Sequence, residues 1–418
     1  MPELWDGKDN KLVESIFKTL FLSWKGNGFS FTPELSAYRK LLSYMSTDSR
    51  LTESLLFEIL CQMAKDEKYS VVEFEKRFEN RIANVTTAKK TEWVFVIPLM
   101  INFSDEFAFP IKMKFFNQMI FISKWSSLAK RFGKKRINTL LTKNSLSKNI
   151  NTYKTAIVLT SYGSSGYNAW QKVDFTFDAF RGIMEFSYLY NTISLSLGRN
   201  ASKGVFPLAG HIWGLCEDLS VDEDLIFFLT ADECKPKVHV IRKKNWSSVL
   251  YLVQLIKNIP AKNSINELLA NCFRLYGQSV NHNFAHLILL GLWQIAEELS
   301  CSMPGQTKTE TICQRLAKHS PYNFSEDISI KLLQIISKKR NDIVHRGINE
   351  ANENDVNILK TFCDSNIAWL VNLVANNKLN KKIDLENYYS HYTQSDNHLK
   401  SIVSTINYIQ ETRTGGLK

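Results

Sequence analysis

The sequence predicts an α+β N-terminal region followed by an all-α helical bundle. Three observations carry that expectation: apolar residues spaced three and four apart over the first ~85 positions, a change to β-branched and aromatic runs from Trp93, and helical periodicity from about Lys262 onward. With 418 residues, 44% hydrophobic and 12% aromatic, the chain can fill two or three domain cores, which excludes a disordered or fibrous protein.

In order, residues 12–22 and 51–63 read as helices, and Asp48 or Thr52 is placed to cap the second. Residues 93–103 and 107–122 are strand-like and separated by Ser104-Asp105-Glu106, which predicts an antiparallel hairpin. Residues 155–160 form another strand candidate. It runs through Ser161-Tyr162-Gly163-Ser164-Ser165-Gly166 into a long apolar helix over 175–197, with Asp174 near its start. Short strand-like pieces at 204–207, 225–229 and 238–241 precede helical spacing at 246–259. The bundle then comprises 265–276, 281–300, 309–318, 327–338 and 355–374, broken by Pro304, Gly305, Pro321 and Gly347. Trp293, Trp369 and Phe284 are expected in its core. The expected divisions are 1–261 with a break near 150, 262–382, and a polar tail, 383–418, without a core.

Apolar runs such as 93–101 and 285–292 stop well short of the ~20 residues a membrane-spanning helix needs. The N-terminus, MPELWDGKDNKLVESIF, is acidic where an export signal would be basic and then apolar, so a cytoplasmic location is expected. Cys61, Cys216, Cys234, Cys272, Cys301, Cys313 and Cys363 form no CxxC pair, which fits reduced thiols and disfavours a zinc ribbon or disulfide framework. His282 and His286 lie four apart without a third ligand nearby. No metal or cofactor is called for.

The net charge of +11 is local. Between Phe107 and Val173 there are 12 Lys and Arg and no Asp or Glu; removing them leaves 40 basic against 41 acidic residues. Lys124, Lys130, Arg131, Lys134, Lys135, Arg136, Lys143 and Lys148 interleave with Phe121, Trp125 and Phe132. Such a segment either tracks a phosphate backbone, releasing counterions, or is a solvated linker or helix face. The Gly163–Gly166 turn invites a phosphate-binding reading. It matches no G-x-x-x-x-G-K-[ST], G-x-G-x-x-G or G-x-S-x-G pattern, and no paired carboxylates for Mg²⁺ stand beside it, so a phosphate-transfer enzyme built on it is disfavoured.

Chemistry concentrates in Ser337-Lys338-Lys339-Arg340-Asn341-Asp342-Ile343-Val344-His345-Arg346-Gly347. Taken by itself, this is a basic helix end whose cations complement the macrodipole. Arg340, polar Asn341 and then His345 also resemble the signature of the HEPN domains (higher eukaryotes and prokaryotes nucleotide-binding). The resemblance covers about 265–374, including the apolar helix HLILLGLWQIAEEL at 286–299. More narrowly, WVFVIPLMINF followed by a strand-like segment, a long helix and the bundle is similar to the ApeA-like HEPN group associated with anti-phage defence.

The resemblance implies a metal-independent endoribonuclease of prokaryotic anti-phage defence or abortive infection, with Arg340, Asn341 and His345 catalytic. It implies a homodimer formed through the bundle, and an N-terminal region that acts as sensor, substrate platform or restraint. Its partners would be RNA, tRNA included, and a phage-derived trigger. Independently of the resemblance, dense positive charge at Lys130, Arg131, Lys134, Lys135 and Arg136, with Lys338, Lys339 and Arg346, would hold the RNA. The alternative is a non-catalytic dimeric module that binds a nucleotide or nucleic acid, its N-terminal region engaging a partner protein.

These residue types suit the reaction. Histidine exchanges protons near neutrality, so it can serve the attacking 2′-OH or the leaving 5′-oxygen. A planar guanidinium can donate two hydrogen bonds to the charged oxygens of the transition state. Asn341 would orient one of them or the ribose, and the products would be a 2′,3′-cyclic phosphate and a 5′-hydroxyl. Five residues on an ideal helix set the Arg340 and His345 side chains about 140° apart. Either the helix is interrupted near Asn341-Asp342, or a second copy of the motif completes the site across a two-fold axis. Glu297 and Glu298 are either supports for this pair or a solvated acidic flank.

Overall fold

The structure, a computed structural model, describes Trp5, Leu41 and residues 9–21, 53–87, 91–99, 101–132, 155–163, 166–190, 213–215, 239–258, 260–282, 284–301, 307–321, 325–376, 378–392 and 394–413. The chain divides into two compact units, Met1–Lys90 and Thr91–Lys418.

In the first unit, α1 (Asn10–Phe21), α2 (Glu53–Lys65) and α3 (Val71–Thr87) enclose Phe17, Leu20, Leu60, Met63, Phe74 and Phe78. Trp5 closes this cluster, its ring 6.0 Å from Phe17 and 5.1 Å from Phe74. The Glu14 carboxylate accepts the Val71 N–H at the start of α3, a negative charge where the helix leaves its amides unpaired. Asp48 and Thr52, the expected caps, lie outside the described residues.

The second unit begins with a mainly antiparallel strand region: β1 (Thr91–Leu99), β2 (Ile101–Phe103), β3 (Ile111–Phe115), β4 (Gln118–Lys124), β5 (Thr155–Gly163), β6 (Trp213–Leu215) and β7 (His239–Ile241). Five of these strands form an antiparallel sheet in the order β3-β4-β5-β1-β6, while β2 and β7 pair in parallel. The hairpin expected between 93–103 and 107–122 is not formed. β1 instead pairs with β5, Thr91 opposite Gly163, and the hairpin is β3–β4. Its reversal is at Phe116 and Asn117, with φ of 47° and 61°, as a two-residue hairpin turn requires. Phe116 tolerates that backbone because its ring is buried 3.9 Å from Phe115 and its N–H donates to the Lys257 carbonyl. Ser104-Asp105-Glu106 is a turn, but it carries the chain to the far edge of the sheet.

After α4 (Trp125–Phe132) and β5, α5 (Gly166–Leu189) starts well before the expected residue 175, so Asp174 lies inside it. One side of α5 covers the sheet, with Trp170 on Phe95 at 5.1 Å and Phe180 near Phe115. The other side packs on the bundle, where Phe186 meets Phe273 edge-on at 5.5 Å. Gly182 and Gly277 allow the close crossing: a Cβ on Gly182 would sit 1.6 Å from the Phe273 carbonyl oxygen. Sheet and bundle therefore share one continuous core. The strand candidates at 204–207 and 225–229 lie outside the described residues.

The helical region comprises α6 (Lys243–Leu255), α7 (Ile265–Ser279), α8 (Ala285–Leu299), α9 (Thr309–Ala317), α10 (Glu326–Arg346) and α11 (Glu353–Ala375). Local sequence sets several of the ends. Ser264 and Ser325 accept amide bonds as N-caps, Asn352 and Asp355 make a reciprocal capping box, and Gly347, with φ of 67°, ends α10. Trp293 is buried as expected, whereas Phe284 is 61% exposed because it precedes the first turn of α8 and stands off its packed face. Within the stretch expected as a coreless tail, only the part nearest Lys382 reaches the core, and no described residue from Gln394 to Arg413 is buried. The stretch forms α12 (Lys382–His391) and α13 (Asp396–Arg413), and α12 buries Leu385 and Tyr389, whose hydroxyl donates to the Leu299 carbonyl. Among the described residues no helix is long and apolar enough to cross a membrane.

Candidate active site

α10 is one uninterrupted helix from Glu326 to Arg346, running eight residues past the Lys338 end that its apolar spacing predicts, so the interruption entertained near Asn341-Asp342 is absent. Ser329, Leu333, Ile336 and Ser337 are its buried face. Arg340 follows Ile336 by four residues and Leu333 by seven, which keeps it on that face and turns its guanidinium toward α8.

There it meets Glu297. Arg340 Nη2 lies 3.3 Å from Glu297 Oε1, and Nη1 donates to Asn341 Oδ1 at 3.0 Å. The same Glu297 oxygen accepts the indole N–H of buried Trp293 at 3.0 Å. The carboxylate is thus aimed by Trp293, one turn back on α8, and in turn aims Arg340. Glu297 is in contact with Arg340, the arrangement a supporting role requires. Trp293, read only as core, also proves to be the anchor of this chain of bonds, a role that requires knowing which helix faces α8.

Arg340 offers five N–H donors, and this arrangement engages two of them. It can therefore hold a phosphate oxygen without giving up its supports. His345, past the buried stretch, is exposed to solvent, and rotation along the continuous helix places it about 140° from Arg340. His286 Nδ1, on α8, lies 3.0 Å from Asn349 Nδ2, tying down the chain just beyond Gly347.

The basic residues of this segment divide by role. Lys339 Nζ donates to both carboxylate oxygens of Asp355, at 2.9 and 2.8 Å, and so fastens the capping box of α11 to α10. Arg346 pairs with Asp342 at 3.2 Å while remaining largely exposed. Lys338 is exposed and faces an open cleft of about 500 Å³, to which Asn341, Asp342 and Arg346 also contribute from α10, and Thr309 and Glu310 from α9. Of the separate basic stretch, Lys130 is exposed on α4 and Arg131 belongs to the same helix, whereas Lys134, Lys135, Arg136, Lys143 and Lys148 lie outside the described residues, as do Ser164 and Ser165. Lys124 and Lys112 rest over Phe109 and Phe121, so part of the basic stretch serves the sheet itself. Among the described residues no three His, Cys, Asp or Glu side chains are grouped to hold a metal ion.

Compared with protein-family models, with curated proteins and with solved structures, the chain matches none.

Proposed function

We propose that this protein is a metal-independent HEPN-type endoribonuclease, with Arg340, Asn341 and His345 as its catalytic residues. The observation that carries the reading is the contrast along one helix: an arginine aimed by Glu297 and Asn341, and, five residues on, a histidine exposed to solvent.

In the proposed reaction a His345 imidazole takes the proton of the 2′-OH as that oxygen attacks the adjacent phosphorus. The P–O5′ bond breaks, and the 5′-oxygen takes up a proton from an imidazolium. Arg340 donates to the non-bridging oxygens, where negative charge gathers. The side chains diverge on a continuous helix, so a second copy supplies the complementary His345 across a two-fold axis. Apolar residues left exposed along the outer side of α10, Ile328 at 49% and Ile335 at 56%, suit such an interface. Lys338 and Arg346, with the 130–148 stretch, hold the RNA backbone; Lys339 acts in the fold. The family resemblance assigns the activity to anti-phage defence in the cytoplasm of a prokaryote, triggered by a phage-derived signal.

The test incubates wild type and His345→Ala with tRNA and a structured RNA in excess EDTA and reads the cut positions and end groups. Cleavage by wild type alone, with cyclic-phosphate and 5′-hydroxyl ends, is the expected result. If neither protein cuts, and growth arrest in cells is unchanged by the substitution, the chain is the binding module instead.

A further inference from the structure

The cleft beside Asn341 contains more than the proposed reaction uses. It lies between the first turn of α9 and the second half of α10, and its polar lining includes Glu310, Gln334, Lys338, Asn341 and Asp342. Some of these groups are already committed: Asp342 pairs with Arg346, and the Asn341 carbonyl accepts from Arg340. Among the described residues, the Glu310 carboxylate, the Gln334 amide and the Lys338 ammonium have no side-chain partner.

Those three groups define a ligand. Glu310 and Asp342 offset Lys338 and Arg346, so the cleft has no net positive charge to hold a bare phosphate. A free carboxylate instead accepts two parallel hydrogen bonds from adjacent donors on one planar edge. Among RNA bases only guanine presents such a pair, N1–H beside the N2 amino group; adenine and cytosine offer one amino group, and uracil one imide N–H between two acceptors. The Gln334 amide and Lys338 ammonium can donate to the acceptors of the same base or to its phosphate. A volume of about 500 Å³ falls within the ~300–1,000 Å³ of small-ligand sites.

We propose that this cleft seats a guanine base and that Glu310 determines where the RNA is cut. The inference rests on the nuclease reading above. Asn341 connects the two sites, because it lines the cleft and accepts from Arg340; the proposal has a nucleotide whose base occupies the cleft extend its phosphate past Asn341 toward that arginine. Cuts then fall beside guanosines in unpaired RNA, where the Watson–Crick edge is free.

Two measurements on the full chain test this. In the first, 3′-monophosphates of guanosine, adenosine, cytidine and uridine are titrated into wild type and Glu310→Gln by calorimetry. Guanosine monophosphate is expected to bind wild type at least about tenfold tighter than the others, and Glu310→Gln to remove that margin while leaving the other three unchanged. In the second, cut sites in an unstructured RNA are mapped. Wild type is expected to cut beside guanosines and Glu310→Gln to lose that preference. Selective, Glu310-dependent binding without any cleavage supports the base site and defeats the nuclease reading. Cleavage with no guanosine preference, unaltered in Glu310→Gln, leaves the nuclease reading standing and overturns the base site. Glu310 is exposed in the first turn of its helix, so the substitution removes charge without opening the core.

Discussion

Two opposite-charge pairs in the helical region differ in how much water they see. Lys360 and Asp364, on α11, have side chains 0% and 5% exposed, and Lys360 Nζ donates to Asp364 Oδ2 at 2.6 Å. Arg340 and Glu297 keep 27% and 34% exposed at 3.3 Å. Close to the first pair is more buried polarity: Lys360 lies over the ring of Tyr276, while Glu185 of α5 accepts from Asn281 at 2.8 Å. Burial favours the neutral form of both Lys360 and Asp364, pushing the ammonium down and the carboxyl up, and each partner pulls the other back. A pair so enclosed has no route to a substrate. It lies within α11, against Tyr276 of α7, and carries the desolvation cost of any buried ion pair. The half-open pair can exchange a water for a phosphate oxygen, and its contribution to stability is correspondingly small, about 0–1 kcal/mol.

Deleting the cation from each pair separates the two roles. Lys360→Met leaves Asp364 buried without its partner and should cost about 3–5 kcal/mol in urea unfolding, with much of that recovered in Lys360→Met/Asp364→Leu. A loss below about 1 kcal/mol would mean water reaches this pair and the contrast fails. Under the proposed nuclease function, Arg340→Ala should do the reverse, lowering cleavage by about 10²–10³-fold while unfolding shifts by less than about 1 kcal/mol, because Glu297 keeps its bond to Trp293 and its solvent exposure.

Glu297→Gln tests the aiming alone. Without the charge the guanidinium is held less firmly, and kcat should fall roughly tenfold with KM nearly unchanged, as expected when an interaction is lost mainly in the transition state. Equal falls in Arg340→Ala and Glu297→Gln would instead make the pair a single unit.

A separate expectation concerns His319, away from both pairs. It stacks 3.6 Å from Trp369, with Tyr388 beside it; burial, and then neighbouring Lys318, push it down to about 4. The unfolded chain takes up this proton near pH 6.5 and the folded chain only near 4, so stability is lost as pH falls through that window and is unaffected above it. His319→Phe keeps the stacking and should lose less stability than wild type between about pH 7 and pH 5, read as the shift in urea midpoint. Identical shifts would show that the ring is hydrated in the folded protein.

The bundle was legible in the sequence because helix periodicity and caps act over neighbouring residues. Ser264, Ser325, Asn352 and Gly347 stand at the ends their chemistry predicts. Ending α10 at Lys338 is too short, since the next four residues are Lys339, Arg340, Asn341 and Asp342 and break the apolar spacing before Ile343 and Val344 resume it; Lys339 to Asp355 and Arg346 to Asp342 are the ion pairs formed along this stretch. Strand pairing was less legible. Nothing local tells Thr91 that its partner is Gly163, and a phenylalanine at positive φ is not a turn signal that spacing reveals. The helices at Lys382–His391 and Asp396–Arg413 were not legible, and α12 gains its burial from a single face, Leu385 and Tyr389, against residues far away in the chain.

By itself, then, the sequence determined the order of helical and strand regions, the ends of several bundle helices and the presence of Arg340, Asn341 and His345 on one segment, because each is a matter of residues a few positions apart. Tertiary structure alone decided that Glu297 and Trp293 aim Arg340, that Lys339 is consumed by the fold, and that a polar cleft opens beside Asn341. Those outcomes depend on which helix face meets which. That is settled by burying the whole core at once, with Gly182 against Phe273 permitting the approach of α5 and α7, and not by any stretch of chain alone.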